Sequence, residues 1–348
     1  MNRSPRLSRL IGIAAMLGAL VLADAPVHSL GAAAADDRPA QFASAQVAAA
    51  PGPEPKAPAV AVIVPARLEP WGSAPSGVVG ARPAPTISGV SAILIDEASG
   101  KVLYEKAAHE RLSPASLTKI MTALIALERG VASDVVEVTV NGQAMRGSTV
   151  MGLVPGERLT LEDLVYGMML PSGNDAALAI AEHIGGSVPA FVELMNKRAA
   201  ELGMADTRWV NPHGLDSGAP HTTAYDLVVL TRTAMQREDF RTIANTRYRV
   251  VKGSIATYSL GTLNPLYGRL AGVDGVKTGY TRTAQQTLVG TVTRDGHRVM
   301  VVIMRSPDRA SDGVALLNWA FEAHAWPANA AFPSDGAYAS DGLPSPGT

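Results

Sequence analysis

A serine and a lysine three residues apart, Ser116 and Lys119, form the first pair in the chain whose types and spacing can support catalysis. A serine hydroxyl is a weak nucleophile at neutral pH and needs a base within hydrogen-bond reach. Residues three apart share one helix face, so Lys119 can lie beside Ser116 and act as that base where burial and a nearby cation lower its pKa. The alternative interpretation is an ordinary solvated helix start, in which Ser116 is the N-terminal cap.

A second polar group, Ser172-Gly173-Asn174, follows Pro171 at the junction of two predicted helices. The proline and the glycine favour a turn that presents both polar side chains. A hydroxyl at such a turn can relay a proton to a leaving amine, and an asparagine amide can bind a substrate carbonyl. The alternative is again ordinary, because serine, glycine and asparagine are common at helix starts.

A third motif, Lys277-Thr278-Gly279, begins a predicted edge strand. Gly279 has no side chain, so a substrate can approach the backbone closely there. The N–H group of Tyr280 can pair with that of Ser116 to form an oxyanion hole. The side chains of Lys277 and Thr278 can bind a carboxylate.

In this order, the three motifs resemble the S-x-x-K, S-x-N and K-T-G signature of the active-site serine enzymes that recognise penicillin. The surrounding sequence is similar to that of the low-molecular-weight D-alanyl-D-alanine carboxypeptidases over residues 88–325. The segments that carry this resemblance are SPASLTKIMTALIALE, LVYGMMLPSGNDAALAIAEHIGG, FVELMNKRAAELGM, NPHGLD, HTTAYDLVVL and VDGVKTGYT.

The resemblance implies a penicillin-binding, β-lactamase-like transpeptidase fold and a serine-type carboxypeptidase without a cofactor. Such an enzyme removes the terminal D-Ala from peptidoglycan stem pentapeptides through an acyl-enzyme, and β-lactam antibiotics inhibit it covalently. The resemblance implies that Ser116 is the nucleophile and Lys119 the base. It implies that Ser172 and Asn174 relay a proton and position the substrate. It also implies that Lys277 and Thr278 bind the terminal carboxylate. The resemblance also implies an arginine that holds the carboxylate; Arg309 best fits its place, with Arg305 as the alternative.

Two features depart from the family pattern. Ala284-Gln285 stands where the family usually has Ala-Gly, which puts the link between two strands in question. Neither a second β-rich domain nor a C-terminal amphipathic membrane anchor is visible. A Ser-His-Asp triad through His213 and Asp216 is rejected, because their segment is turn-rich and Lys119 already fills the role of base.

Three other functions remain open. A D,D-endopeptidase would use the same residues on cross-linked peptidoglycan. A β-lactamase would need rapid deacylation, often by a glutamate, and no convincing candidate follows Ser172-Gly173-Asn174 at a suitable spacing. A catalytically inactive wall-binding module is disfavoured by the intact motifs.

Hydrophobic periodicity predicts the elements that must position these residues. Two short strands within 91–106 and a hairpin around Asp295-Gly296 flank a helical region. The predicted helices span 116–129, 159–170, 174–184, 188–202, 223–235 and 313–325. Strands at both ends with helices between them indicate an α/β (α+β) fold, with one antiparallel sheet built from the first and last segments.

Composition limits the function classes. The 348 residues include no cysteine, which excludes disulfides and thiolate catalysis, and the seven histidines show no metal-ligand spacing. The formal net charge of −1 gives no reason to expect nucleic-acid binding.

The chain divides into four predicted regions. Residues 1–35 have the layout of a signal peptide, cleaved at about 25–35, although an uncleaved N-terminal anchor is the alternative. Residues 36–85 are an Ala/Pro-rich linker, 86–327 the catalytic domain and 328–348 a tail; both the linker and the tail are predicted to be disordered. The expected location is therefore the periplasm.

Overall fold

The computed structural model describes residues 66–77, 82–145 and 147–327. The predicted signal peptide and tail, and the predicted linker up to residue 65, lie outside the described residues. The described strands are β1 (Ser76–Gly77), β2 (Ser91–Asp96), β3 (Val102–Lys106), β4 (Val135–Glu137), β5 (Arg158–Thr160), β6 (Tyr248–Lys252), β7 (Thr257–Gly261), β8 (Val273–Thr281), β9 (Gln285–Arg294), β10 (His297–Ser306) and β11 (His324–Ala325). The described helices are α1 (Lys119–Arg129), α2 (Leu161–Met169), α3 (Asn174–Gly185), α4 (Val188–Glu201), α5 (Ala224–Ala234), α6 (Glu238–Asn245) and α7 (Arg309–Ala323).

The principal sheet has five antiparallel strands in the order β3-β2-β10-β9-β8. Strand β2 is buried along its whole length, and successive side chains enter different cores. Ile93 and Ile95 join the core shared with the helical region, whereas Ala92 and Leu94 join a smaller core beneath α7. This alternation is the period of two of a strand covered on both faces. The predicted α/β architecture with one antiparallel sheet is confirmed.

Helix α1 lies at the centre of the helical region. Its residues from Lys119 to Ala126 are all buried, because neighbouring helices cover it on every side. A helix that is apolar around most of its circumference is typical of a protein core. Among the described helices, none alone is long and apolar enough to cross a membrane; α3 and α4 meet that test only together, with a bend of 84° between them.

Capping residues set the helix boundaries. Thr160 caps α2 by accepting a hydrogen bond from the Asp163 N–H at 3.1 Å. The last helix begins four residues earlier than the predicted Gly313, because the side chain of Asp308 accepts a hydrogen bond from the Ser311 N–H and caps it there. The difference matters for the site, since it makes Arg309 the first residue of α7.

The β9–β10 hairpin forms around Asp295 and Gly296, as predicted. Both residues have positive φ, 50° and 78°, which is the backbone conformation that a two-residue turn of this kind requires. At the other end of β9, Gln285 has a φ of 53°. This left-handed conformation favours glycine, so the departure from Ala-Gly places a strained residue in the link, yet β8 and β9 still pair.

Residues 66–77 correct the predicted disordered linker, which extended to residue 85. The Ala66 N–H donates to the Gly203 carbonyl at 3.1 Å, and the Trp71 N–H donates to the Ala98 carbonyl at 2.8 Å. The guanidinium of Arg232 lies 3.7 Å from the Trp71 ring centroid. Strand β1 then pairs with β11. We call residues 66–77 the N-terminal arm; it is held by backbone hydrogen bonds, the Trp71 ring and the partly buried Ala66 and Leu68. These contacts are too few to give a periodic signal in the sequence.

Candidate active site

Ser116 lies in a 3₁₀ turn, Ala115–Thr118, that leads directly into α1. Ala115 has a φ of 49°, and the Thr118 hydroxyl donates to its carbonyl at 2.9 Å, which tightens the turn. The N-cap of α1 is Thr118, so Ser116 does not have the capping role of the alternative interpretation. Its hydroxyl instead lies 3.1 Å from the side-chain nitrogen of Lys119.

Lys119 is completely buried and has three polar neighbours. Its Nζ lies 2.6 Å from Asn174 Oδ1, 2.8 Å from the His213 carbonyl oxygen and 3.1 Å from Ser116 Oγ. The amide oxygen and the carbonyl oxygen can only accept hydrogen bonds, whereas the serine hydroxyl can donate as well. A neutral Lys119 amine that donates to the first two therefore directs its lone pair at the Ser116 hydroxyl.

Burial lowers the pKa of Lys119 well below its usual value, and the nearby Lys277 lowers it further. The buried carboxylate of Asp175 acts in the opposite direction. Burial and the neighbouring Lys119 also lower the pKa of His213 to about 4, so this imidazole is neutral at physiological pH. The His213 Nδ1 accepts from the Leu215 N–H at 3.2 Å.

Asp216, the other residue of the rejected triad, contacts hydroxyl groups. Its Oδ1 accepts hydrogen bonds from Ser113 Oγ at 2.8 Å and from Thr281 Oγ1 at 2.9 Å. The structure thus places the NPHGLD loop beside the site, and Asp216 bridges the segment before Ser116 and the end of β8.

Ser172 and Asn174 lie between α2 and α3. Ser172 is buried with a φ of 64°, and its carbonyl accepts from the Thr149 hydroxyl at 2.7 Å. Asn174 is the first residue of α3, which directs its amide toward Lys119. The sharp turn predicted from Gly173 is therefore present, and it brings this motif next to the first one.

Asp175, which the sequence did not single out, is a buried anchor for one wall of the site. Its Oδ1 accepts from the backbone N–H groups of Met151 at 2.7 Å and Ala176 at 2.9 Å. Its Oδ2 accepts from those of Gly152 at 2.8 Å and Leu153 at 2.9 Å. Four N–H donors satisfy a carboxylate that is fully buried, so the cost of its burial is offset by charge-assisted hydrogen bonds.

Strand β8 forms the opposite wall. It is the edge strand of the sheet, as predicted. A Cβ at Gly279 would lie 2.8 Å from the Ser116 backbone nitrogen, so only glycine permits this approach between strand and nucleophile. The Lys277 side chain is buried and donates to the Thr278 carbonyl at 3.0 Å. Burial, and then the charge of Arg309, lower the pKa of Lys277 to about 7.

Arg309 reaches the same strand from the start of α7. Its Nη1 donates to the Gly279 carbonyl at 2.6 Å, and burial lowers the pKa of its guanidinium. Arg309 lines the cleft, whereas Arg305 does not appear in the lining. Of the two arginines that the sequence offered, the structure brings only Arg309 to the site.

These elements enclose a cleft of about 490 Å³. It is lined by Ser116, Gly147, Ser148, Thr149, Ser172, Asn174, Leu215, Asp216, Leu263, Thr278, Gly279, Tyr280, Thr281, Arg282 and Arg309. All three sequence motifs contribute residues to this lining. The lining segments 147–149, Leu263 and Arg282 were not predicted, because nothing local in those segments signals that they meet a distant motif.

Comparison with known proteins gives one consistent result. The family model described as D-alanyl-D-alanine carboxypeptidase matches residues 79–308. The chain is 37% identical over 240 residues to the D-alanyl-D-alanine carboxypeptidase DacF of Bacillus subtilis (66% of this chain, 61% of that protein) and 33% identical over 252 residues to DacC of Escherichia coli (68% and 62%). It thus spans about six-tenths of the length of these two relatives.

Solved structures of similar proteins share the fold. The Streptomyces K15 DD-transpeptidase has a TM-score of 0.66 at 30% identity, covering 69% of this chain and 100% of that one. A D-alanyl-D-alanine carboxypeptidase from Mycobacterium tuberculosis has a TM-score of 0.66 at 30% identity, covering 72% and 98%. The fold is that of the penicillin-binding DD-peptidases, and the chain belongs to the D-alanyl-D-alanine carboxypeptidase family.

Proposed function

We propose that the protein is a serine-type D-alanyl-D-alanine carboxypeptidase that acts on peptidoglycan stem pentapeptides. The observation that carries this proposal is the contact of the Ser116 hydroxyl with Lys119, a buried lysine whose pKa is held down. A serine hydroxyl 3.1 Å from a lysine whose burial favours the neutral amine is placed to be activated as a nucleophile for acyl transfer.

In the acylation step, Ser116 Oγ attacks the carbonyl carbon of the penultimate D-Ala and its proton passes to Lys119 Nζ. The N–H groups of Ser116 and Tyr280 stabilise the negative charge on the carbonyl oxygen. The C–N bond then breaks, and the leaving D-Ala nitrogen takes up a proton relayed through Ser172. Asn174 positions both Lys119 and the substrate.

The terminal carboxylate of the substrate binds to Lys277, Thr278 and Arg309. In the free protein, the two cations oppose each other, since the charge of Arg309 lowers the pKa of Lys277 to about 7. An arriving carboxylate offsets this repulsion and favours the charged form of Lys277. Binding of a free acid is thereby coupled to restoring the positive charge of Lys277.

Hydrolysis of the acyl-enzyme by water completes the cycle and distinguishes a carboxypeptidase from a transpeptidase. The one carboxylate among the described residues lining the cleft is Asp216, and its Oδ1 is engaged with two hydroxyl groups. This arrangement offers no dedicated glutamate for rapid release of a penicilloyl group, which favours a carboxypeptidase over a β-lactamase. A D,D-endopeptidase would use the same groups, so an assay on a cross-linked muropeptide distinguishes it from a carboxypeptidase.

The proposed substrate, peptidoglycan, lies outside the cytoplasm. We therefore place this activity in the periplasm, which agrees with the signal peptide predicted at residues 1–35. The proposed ligands are stem peptides that end in D-Ala-D-Ala and β-lactam antibiotics.

Labelling with a fluorescent penicillin tests the nucleophile, and two substrates test the reaction. We expect covalent labelling of the wild type, none of Ser116→Ala, and normal labelling of Ser133→Ala, an exposed serine that does not line the cleft. Release of D-Ala from a pentapeptide should exceed cleavage of a cross-linked muropeptide. Persistent labelling of Ser116→Ala would overturn the assignment, and preferential cleavage of the cross-linked substrate would make the protein an endopeptidase.

A further inference from the structure

The β6–β7 hairpin turns one of its faces toward solvent. This outer face consists of alternate residues that are all exposed: Tyr248, Val250 and Lys252 of β6, paired with Gly261, Ser259 and Thr257 of β7. The inner-face residues Val251, Tyr258 and Leu260 are buried in the core shared with the helical region. A Cβ placed at Gly261 would meet no atom within 4 Å, so the space beside Tyr248 is open.

Three large apolar side chains lie on this outer face and at the tip of the hairpin. Tyr248 is 61% exposed, Val250 is 48% exposed, and Ile255, in the turn between the two strands, is 61% exposed. Strand residues that face water in an antiparallel sheet are usually polar. Apolar side chains gathered on one element are typical of a surface that a partner covers. We call Tyr248, Val250, Lys252 and Ile255 the hairpin patch.

Contacts on the inner side fix the hairpin in place. The guanidinium of Arg249 lies 3.9 Å from the Tyr166 ring centroid and pairs with the Asp163 carboxylate at 3.1 Å. At the tip, the buried Glu157 accepts a hydrogen bond from the Ile255 N–H at 2.8 Å. The hairpin patch is therefore preorganised, and a partner that covers it loses little free energy in ordering the backbone.

Charge indicates what kind of partner the patch fits. Positions 240–273 contain five cationic residues and no acidic residue, although the formal net charge of the whole chain is −1. The five cations are Arg241, Arg247, Arg249, Lys252 and Arg269. Among the described residues, the acidic side chains that bond to the hairpin are Glu157, Glu162 and Asp163, and they do so at its inner face or its tip.

The outer face thus presents a positive charge at Lys252, and the hairpin contributes no negative charge of its own. A complementary partner must combine apolar groups with negative charge. The interface of a bilayer that contains anionic lipid offers both, since its phosphate groups lie directly above the acyl chains. A soluble polyanion offers the charge without the apolar groups.

We propose that the hairpin patch docks onto the surface of a membrane that contains anionic lipid. Tyr248, Val250 and Ile255 enter the boundary between the head groups and the acyl chains, while the Lys252 ammonium stays among the phosphates. Tyrosine suits this depth because its ring is apolar and its hydroxyl is polar. The contact lies on the membrane without spanning it, and the inference does not depend on the proposed function.

The test places a fluorophore on the patch. The chain has no cysteine, so a single introduced cysteine carries the dye at one known position. The full chain is labelled with a polarity-sensitive dye at Val250→Cys or, as a control, at Val102→Cys, an exposed valine of the edge strand β3. Each protein is titrated with vesicles of phosphatidylcholine alone and of equimolar phosphatidylcholine and phosphatidylglycerol. The dye reports its own surroundings, so the readout does not depend on how any other segment meets the vesicle.

We expect the emission at Val250→Cys to brighten and shift to the blue with the mixed vesicles, and the emission at Val102→Cys to change little. Added salt should weaken the response, because it screens the attraction to the lipid phosphates.

Second substitutions in the Val250→Cys protein separate the two contributions. Lys252→Gln should weaken the apparent affinity for the mixed vesicles about 5-fold, the effect of one cation near an anionic surface. Ile255→Thr, which keeps a β-branched side chain, should weaken it about 3- to 10-fold. The matched controls are Lys197→Gln, an exposed lysine of α4, and Val131→Thr, an exposed valine after α1, and both should leave the affinity unchanged.

Several results would overturn the docking surface. They are no response of Val250→Cys to the mixed vesicles, equal responses at both dye positions, and equal responses to both kinds of vesicle. A shift that grows with protein concentration without vesicles would assign the patch to a contact between two copies of the chain. An equal shift with soluble polyphosphate would assign it to an anionic polymer, and either result would replace the membrane as the partner. Thermal unfolding at the wild-type Tm shows that each variant is folded, whether or not the protein reacts with penicillin.

Discussion

At Lys119, burial and hydrogen bonding act on the proton in opposite directions. Burial disfavours the ammonium form, while three oxygen neighbours and the buried Asp175 favour it. The same three contacts are also satisfied when the amine is neutral, provided that Ser116 becomes the donor. A group whose hydrogen bonds survive both gain and loss of a proton can transfer that proton without rearranging its surroundings, as a general base requires.

The first prediction concerns this base. Lys119→Ala should slow acylation by fluorescent penicillin by at least about 10²–10⁴-fold, the usual contribution of a general base. Lys119→Arg should not restore the rate, because a guanidinium retains its proton at any accessible pH. Acylation time courses measure both variants, and thermal unfolding monitors folding. A Lys119→Arg protein with the wild-type pH–rate profile would exclude the role.

The second prediction concerns the electrostatic link between the two buried lysines. Lys277 carries its charge below its pKa of about 7, and in that form it lowers the pKa of Lys119. Lys277→Met should therefore raise the pKa of Lys119 and move the acidic limb of the acylation profile to higher pH. The exposed Lys252→Met provides a control of equal charge change. An acidic limb at the same pH in Lys277→Met and the wild type would contradict the link.

Which site residues can be predicted from sequence depends on how each one acts. Ser116, Lys119 and Lys277 act through reactive side chains at fixed local spacings, and such spacings are readable in a single chain. Asp175 and Asp216 act by accepting hydrogen bonds from segments that only tertiary folding brings near. Asp175 lies in an alanine-rich helix and Asp216 in a turn. Neither local sequence indicates which distant N–H or hydroxyl groups the carboxylate will accept hydrogen bonds from.

At the scale of elements, the cleft depends on a loop in which one buried carboxylate, Asp175, accepts three of the backbone hydrogen bonds. Residues 147–149 line the cleft, and 151–153 donate three backbone N–H groups to Asp175. These bonds act together with the buried Leu153 and the partly buried Met151, which pack against the main core. The buried carboxylate therefore positions the cleft wall without touching the substrate.

The third prediction tests this anchor. Asp175→Asn replaces one acceptor oxygen by an NH₂ group that faces backbone donors, so we expect a loss of about 2–5 kcal/mol in the free energy of unfolding. Penicillin acylation should also slow as the wall loosens. Chemical denaturation and labelling rates measure the two effects. Asp295→Asn is the matched control, because asparagine suits that turn equally well. Unchanged stability in Asp175→Asn would contradict the anchoring role.

Helices and strands that form through local interactions can be predicted from the sequence, whereas those that depend on distant residues cannot. The β9–β10 hairpin and helices α1–α5 have local signals: a two-residue turn, a cap or a clear apolar period. The β6–β7 hairpin was missed because a distant residue holds it. The buried Glu157 accepts from the Ile255 N–H at 2.8 Å and from the Tyr258 hydroxyl at 3.0 Å. Its short strands give too few alternations to predict a hairpin.

At the scale of the whole molecule, the principal sheet joins segments from both ends of the domain. Strands β2 and β3 precede the helical region, and β8–β10 follow it, with β10 pairing directly to β2. Long apolar runs at the two ends made this closure predictable. The N-terminal boundary was not predictable from composition, because the N-terminal arm is rich in the residues of a linker and is held mainly through its backbone.

The last prediction concerns the N-terminal boundary of the folded domain. A fragment of residues 66–327 should be more stable than one of residues 86–327 by about 1–3 kcal/mol, or roughly 2–10 °C in Tm, since the shorter fragment loses the Trp71–Arg232 stack and the pairing of β1 with β11. Both should label with penicillin, because no residue of the N-terminal arm lines the cleft. Trp71→Ala in the full chain should reproduce part of the loss, as it removes the aromatic face while keeping the backbone bond to Ala98. Scanning calorimetry of the three proteins and the wild type measures the effect. Identical melting temperatures of the two fragments would show that residues 66–77 do not stabilise the folded domain and belong to the linker. Loss of labelling in the shorter fragment would show that the N-terminal arm also supports the active site.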